Sequence, residues 1–255
     1  MNTPSADLPT QLIETLISMG NERDAQAKAK YLQALPGGYG EGDQFVGVRV
    51  PAIRSLAREA KKQATLDDAA VLLDHEIHEV RLLGAILLVE LYKPARADKN
   101  AVIQLLLAKA DRLNNWDLVD TVVPYTLGPW LLTQPADKAT AILDGLADTP
   151  VLWRRRMAMV STLGQIRLGH HDQALRLAAK LQTDPHHLMH KAVGWMLREV
   201  GTKDRALLDT FLDEHAATLP RTALRYALEK HDPVVRAGYL NAANLSAIRA
   251  DPDAN

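Results

Sequence analysis

The chain has 255 residues, 47% of them hydrophobic, and 30 Lys and Arg against 31 Asp and Glu give a formal charge of -1. A chain of this size closes a core without crosslinks, and the absence of cysteine excludes disulfides, thiolate catalysis and cysteine-ligated zinc or iron-sulfur sites. The near-zero balance excludes a uniformly basic nucleic-acid binder, so any DNA surface has to be a local stripe. The segment Met1 to Pro9 has no basic stretch ahead of an apolar run, and the most apolar run, Leu82 to Leu91, is too short to span a bilayer. The expectation is a cytoplasmic protein with no membrane partner.

In chain order, the first distinctive element is the glycine-dense stretch Pro36 to Val50, which forbids a helix, and Pro51 then starts one. It reads equally as a connector pinned by Phe45 and as a loop that touches substrate, and it lacks the P-loop signature. Helical spacing follows through Val80, Leu82, Ile86, Leu87 and Glu90, then Leu105, Leu106 and Leu113, then Leu118, Val122 and Leu127, then Met157, Val160, Leu163 and Ile166. Helix starts are marked at Asp67, Asp98, Thr149-Pro150, Asp184-Pro185, Asp204 and Asp232-Pro233, which predicts roughly a dozen short helices. Alternating strand patterns are nearly missing. Aligning Arg81, Arg156, Lys191 and Arg225, with Trp116-Asp117 in the slot between the first two, gives a period in the HEAT-like range. The predicted fold is therefore all-α: one domain over residues 1–255, a HEAT-like helical-repeat solenoid whose second helices line one concave surface.

The residues with chemistry to offer fall in those second helices. Trp116 and Asp120 stand four apart, hence on one helix face, beside apolar Leu118 and Val119. A carboxylate there is costly unless paired or used, so Asp117 and Asp120 read either as ion-pair partners or as functional groups. In later repeats Trp153-Arg154-Arg155-Arg156 and Lys191-Ala192-Val193-Gly194-Trp195-Met196-Leu197-Arg198-Glu199 supply further guanidinium and indole groups at corresponding places. His186, His187 and His190 have helical spacing without a Glu in a His-x-x-x-His frame, and His75 and His78 have the wrong spacing for a zincin, so no metal is expected. No dinucleotide fingerprint and no Gly-x-Ser-x-Gly context occurs, and no cofactor is expected.

From Phe45-Val46-Gly47-Val48-Arg49-Val50-Pro51 through Ile77-His78-Glu79-Val80-Arg81 and Asn115-Trp116-Asp117-Leu118-Val119-Asp120 to Lys191–Glu199, the sequence resembles the AlkD-type bacterial DNA alkylation-repair glycosylases, which are HEAT-like solenoids. The resemblance implies a hydrolase that excises cationic N3- or N7-alkylated purines from duplex DNA. It implies Asp120 as the catalytic carboxylate, Trp116 and Trp195 as aromatic walls of the lesion site, and Arg156 as the contact to a phosphate near the lesion. Arg154, Arg155, Lys191 and Arg198 would extend the DNA-binding stripe, and the protein would act as a monomer. The alternative class is a non-catalytic HEAT-like scaffold that binds damaged or branched DNA, or a protein partner, without cutting. The near-neutral charge favours that alternative.

Overall fold

The computed structural model describes residues 7–250, with side chains through residue 241. Among these residues there are fifteen α-helices and no β-strand, and one isolated bridge joins Gln44 to Ile77. The helices pack as two compact units, Met1–Trp130 and Leu131–Asn255.

The first unit contains α1 (Leu8–Ser18), α2 (Glu22–Tyr31), α3 (Val50–Ala60), α4 (Leu66–Leu73), α5 (His78–Tyr92), α6 (Lys99–Ala108) and α7 (Trp116–Val122); α8 (Leu127–Leu131) runs across its end. Its centre is α5, which packs against α3, α4, α6 and α7 and is buried on every face from His78 to Glu90. A helix enclosed in this way is apolar all round rather than along one stripe. The exceptions are His78, Glu79, Arg81 and Glu90, each buried and each held by a partner of opposite charge, as burial of a charge demands.

The second unit contains α9 (Ala136–Ala147), α10 (Leu152–Arg167), α11 (Asp172–Leu181), α12 (His187–Lys203), α13 (Arg205–His215), α14 (Arg221–Ala227) and α15 (Pro233–Ala250). Here α10 packs against α9, α11 and α12, and α12 packs against α10, α11, α13 and α14. A Cβ on Gly194 would lie 2.4 Å from the carbonyl oxygen of Ala223, so α12 and α14 meet at a distance only glycine allows.

The second helices begin at His78, Trp116, Leu152, His187 and Arg221, about 35 residues apart, which is the period of stacked helix pairs. The register within them differs from the predicted one by a residue. Arg81 and Arg155 are each the fourth residue of their helix. Each donates through Nη1 to the carbonyls five and six residues back, Arg81 to Glu76 and His75 and Arg155 to Pro150 and Thr149. His190, fourth in α12, reaches the carbonyl of Asp184 by the same geometry at 2.6 Å. Arg81 is thus equivalent to Arg155, not Arg156. Asp120, Arg156, Lys191 and Arg225 share the next position.

The same bonds explain two helix starts that lie later than the sequence predicts. Thr149-Pro150 presents its carbonyls to Arg155 and α10 begins at Leu152; Asp184 is held by Arg155 at 2.6 Å and accepts from the His186 N–H at 2.9 Å, so α12 begins at His187. At α4 the cap is Thr65, whose hydroxyl and Asp68 form a capping box, and Asp67 sits inside the first turn. Asp98 and Asp204 cap as predicted, and Asp232 accepts from the N–H of Val234 at the start of α15.

Candidate functional site

The glycine-dense stretch is fastened on three sides. The N–H of His78 donates to the Gln44 carbonyl at 2.8 Å, and the buried Glu79 carboxylate accepts from the N–H of Gly47 at 2.9 Å and of Val46 at 3.1 Å. Gly47 has φ of 83°, and a Cβ there would meet the Asn21 carbonyl at 2.1 Å, so both its conformation and its space require glycine. Glu79 also holds the ammonium of Lys28 from α2 at 3.1 Å, and that ammonium donates in turn to the Val48 carbonyl. Phe45 stacks on the His78 ring at 4.8 Å, as the connector reading anticipates.

On α7, Asn115 precedes the first turn, fully buried, with its amide donating to the Leu32 carbonyl at 3.0 Å and its oxygen accepting from the N–H of Trp116 at 2.8 Å. These bonds fix Trp116 and its helix against the end of α2. A cavity of about 330 Å³ opens beside them, lined by Trp116, Asp117, Asp120, Thr121 and Tyr125 on one side and by Lys28, Tyr31, Leu32, Val50 and Arg54 on the other. Leu32 and Val50 bracket the glycine-dense stretch, so that stretch shapes the cavity through its ends. Tyr31, 68% exposed at the rim by whole-residue area, meets Trp116 edge to face at 5.6 Å. The cavity therefore offers aromatic faces, two carboxylates and two cationic side chains within one unit.

Behind its wall lies a charged network that the sequence did not single out. His78, 1% exposed, has Asp43 Oδ2 at 2.7 Å from Nδ1 and Asp117 Oδ2 at 2.9 Å from Nε2. Arg81 pairs with the other oxygen of Asp43 and donates to Asn114 Oδ1 at 3.0 Å. Burial by itself would lower the imidazole pKa; the hydrogen bonds to Asp117 and Asp43 outweigh it and raise the pKa from 6.5 to about 9. For Asp43 burial acts to raise the carboxyl pKa, but the hydrogen bond from His78 and the charge of Arg81 hold it below the ordinary value. A signal for this network was present in Asp-His-Glu-Ile-His-Glu-Val-Arg, where polar residues enter an apolar helix at its first turn.

The structure brings Trp116 and Asp120 to one cavity; the other predicted site residues belong to the second unit. Arg156 on α10 is 5% exposed and donates to the Leu188 carbonyl at 2.9 Å, joining α10 to α12. Trp195 on α12 is half-buried, with its indole N–H donating to Glu199 at 3.2 Å. Of the predicted cationic stripe, Arg155 is paired with Asp184, and Arg198 with Glu229 and Glu199; Lys191 is exposed and Arg154 is half-buried. His186 and His187 stack on one another at 4.8 Å, and among the described residues no three His, Asp or Glu side chains are grouped to hold a metal. No helix among the described residues is long and apolar enough to cross a membrane.

These features define an all-helical repeat protein with an aromatic and carboxylate cavity lined by α2, α3 and α7. The chain belongs to the DNA alkylation repair enzyme family, whose model matches residues 12–231. Its fold is similar to that of a predicted DNA alkylation repair enzyme from Enterococcus faecalis, at 17% identity over 84% of this chain and 98% of that one, with a TM-score of 0.65. It is also similar to AlkD2 from Streptococcus mutans, at 18% identity over 80% and 98% with a TM-score of 0.54, and to smu.31 from Streptococcus mutans UA159, at 19% over 72% and 93% with 0.53. No curated protein sequence matches the chain.

Proposed function

We propose that this chain is a DNA glycosylase that excises cationic N3- and N7-alkylated purines from duplex DNA. The observation that carries the reading is the cavity in which Trp116 and Tyr31 stand beside Asp120. An N-alkylated purine already bears positive charge, so it leaves without being protonated, and the bond breaks toward an oxocarbenium-like sugar. Asp120 stabilises that developing charge or orients the attacking water. Trp116 favours a cationic base through the face of its indole, an effect of roughly 0.5 to 2 kcal/mol per ring, and Trp195 is proposed for the same kind of contact.

The test is a single-turnover release assay on matched duplexes carrying N7-methylguanine or uracil. The cationic base should be released and uracil left in place. Trp116→Leu and Trp195→Leu should each slow release by an amount equivalent to about 0.5 to 2 kcal/mol, with the Phe variants between. Efficient uracil release would mean that the protein activates its own leaving group, and this mechanism would be abandoned.

Arg156 is proposed to hold a phosphate near the lesion, with Lys191 and Arg154 as further contacts. Affinity for duplex DNA should fall as salt rises, and Arg156→Ala should reduce the slope of that dependence by about one phosphate contact. An unchanged slope with a lowered melting temperature would assign Arg156 to the joint with Leu188 alone. The second reading, a scaffold that binds DNA or a protein without cutting, is favoured by the ion pairs that neutralise Arg155 and Arg198. It predicts binding without base release.

A further inference from the structure

We propose that His78 is a positioning residue for the cavity: as an imidazolium it fastens Asp117, and with it the first turn of α7 that carries Trp116, to the glycine-dense loop, and loss of its proton releases that turn. The inference deepens the glycosylase reading and rests on it only for the meaning of the cavity.

The geometry makes the argument without reference to activity. Both ring nitrogens face carboxylate oxygens, Asp43 at 2.7 Å and Asp117 at 2.9 Å. A neutral imidazole has one N–H and one lone pair, so neither tautomer can donate to both; only the cation can. The charged groups that act on the ring are Asp117 from α7 and Asp43 from the loop, and Arg81, on the same helix as His78, bears on it through Asp43. On the remaining side the ring is covered by Phe45.

The two ends of the bridge are unequal. The Asp43 side chain is 3% exposed and keeps Arg81 when His78 loses its proton. The Asp117 side chain is 19% exposed and lines the cavity, with its other oxygen accepting only a local bond from the N–H of Leu118 at 3.0 Å. A carboxylate facing a lone pair turns toward water if it can, and Asp117 is the one that can. The neutral ring therefore keeps its proton on the Asp43 side and lets go of α7. The order of events is loss of a proton from Nε2, repulsion between that lone pair and Asp117, and departure of the Asp117 carboxylate, which frees the turn that bears Trp116 from the loop and leaves it held through Asn115. At neutral pH the bridge is closed, since the ring pKa stands near 9.

The experiment uses the full chain labelled with fluorotryptophan. The fluorine resonance of Trp116 is assigned through Trp116→Phe, and the His78 ring signals through His78→Asn. Both are followed from about pH 6 to pH 10. The expected result is a shift of the Trp116 signal with the same midpoint, near 9, as that of His78. Asp43→Asn removes one carboxylate charge and keeps an acceptor, so both midpoints should fall together, by about a tenfold change in proton affinity or more. A Trp116 signal that stays constant while His78 titrates overturns the proposal, as do midpoints that separate in Asp43→Asn. If that variant does not fold, the wild-type titration decides the matter by itself. Neither signal depends on catalysis, so a chain that releases no base from methylated duplex refutes the glycosylase reading and leaves this test in force. Where base is released, the single-turnover rate should drop about tenfold per pH unit above the shared midpoint. A rate that is flat through it overturns the positioning role.

Discussion

Replacing Asp120 by asparagine should slow base release from methylated duplex DNA on the order of 100- to 1,000-fold while leaving the fold and most of the DNA affinity in place. The change removes one charge at nearly constant volume. Asp120 lies on α7 one turn beyond Trp116 and lines the cavity, so the loss concerns charge at that wall and not packing. The stabilisation of an oxocarbenium-like sugar is realised only as the bond breaks, so the effect belongs in the rate of the chemical step and not in the binding constant. The measurement is single-turnover release beside a binding titration on the same duplex. Equal rates in variant and wild type would remove Asp120 from the reaction. Asp117→Asn is the informative companion. Asp117 is engaged by His78 and by the Leu118 N–H, so its loss should act through the position of α7.

Asp43→Ala should destabilise the protein by about 3 to 5 kcal/mol, the usual cost of breaking a buried charge pair by removing one partner. The variant leaves Arg81 buried without its carboxylate, and the Nε of Arg81 already has no hydrogen-bond partner among the described residues. It also leaves His78 with a single counter-charge. The effect should be read as a lower urea midpoint at unchanged slope. The same network sets how wild-type stability varies with pH. The folded pKa of His78 lies above its unfolded value of 6.5, so the stability it contributes is complete below about pH 6.5 and is lost as the pH rises through about 9. The shift corresponds to roughly 3 kcal/mol across that window. In Asp43→Ala the loss should be smaller and finish at lower pH. Wild-type stability that does not change between about pH 7 and pH 10 would contradict this account of the network.

What could be read directly from the sequence is what repeats or breaks locally. Helical spacing, proline and capping residues give an all-helical chain, and basic and indole residues recurring at a fixed interval give the helix pairs, because each pair must bury the same apolar faces. Asp98 and Asp204 cap where predicted because an N-cap is made within four residues of chain. Trp116 and Asp120 share a cavity because both ride on one short helix, where spacing alone determines the face. The starts of α10 and α12 could not be read this way. Arg155 draws the Thr149 and Pro150 carbonyls and the Asp184 carboxylate into its own coordination, a contact that joins residues 29 positions apart. The bonds from each arginine to the carbonyls five and six residues back show that Arg155, not Arg156, is the counterpart of Arg81. The network of Asp43, His78 and Asp117 was equally hidden, since its members come from a loop, the central helix and α7, separated by 35 and 39 positions. Local sequence thus determined which helices form and which residues share a helix face. The tertiary structure decided which charges are buried together, because pairing of buried charges is set by proximity in space, and spacing along the chain carries no record of it.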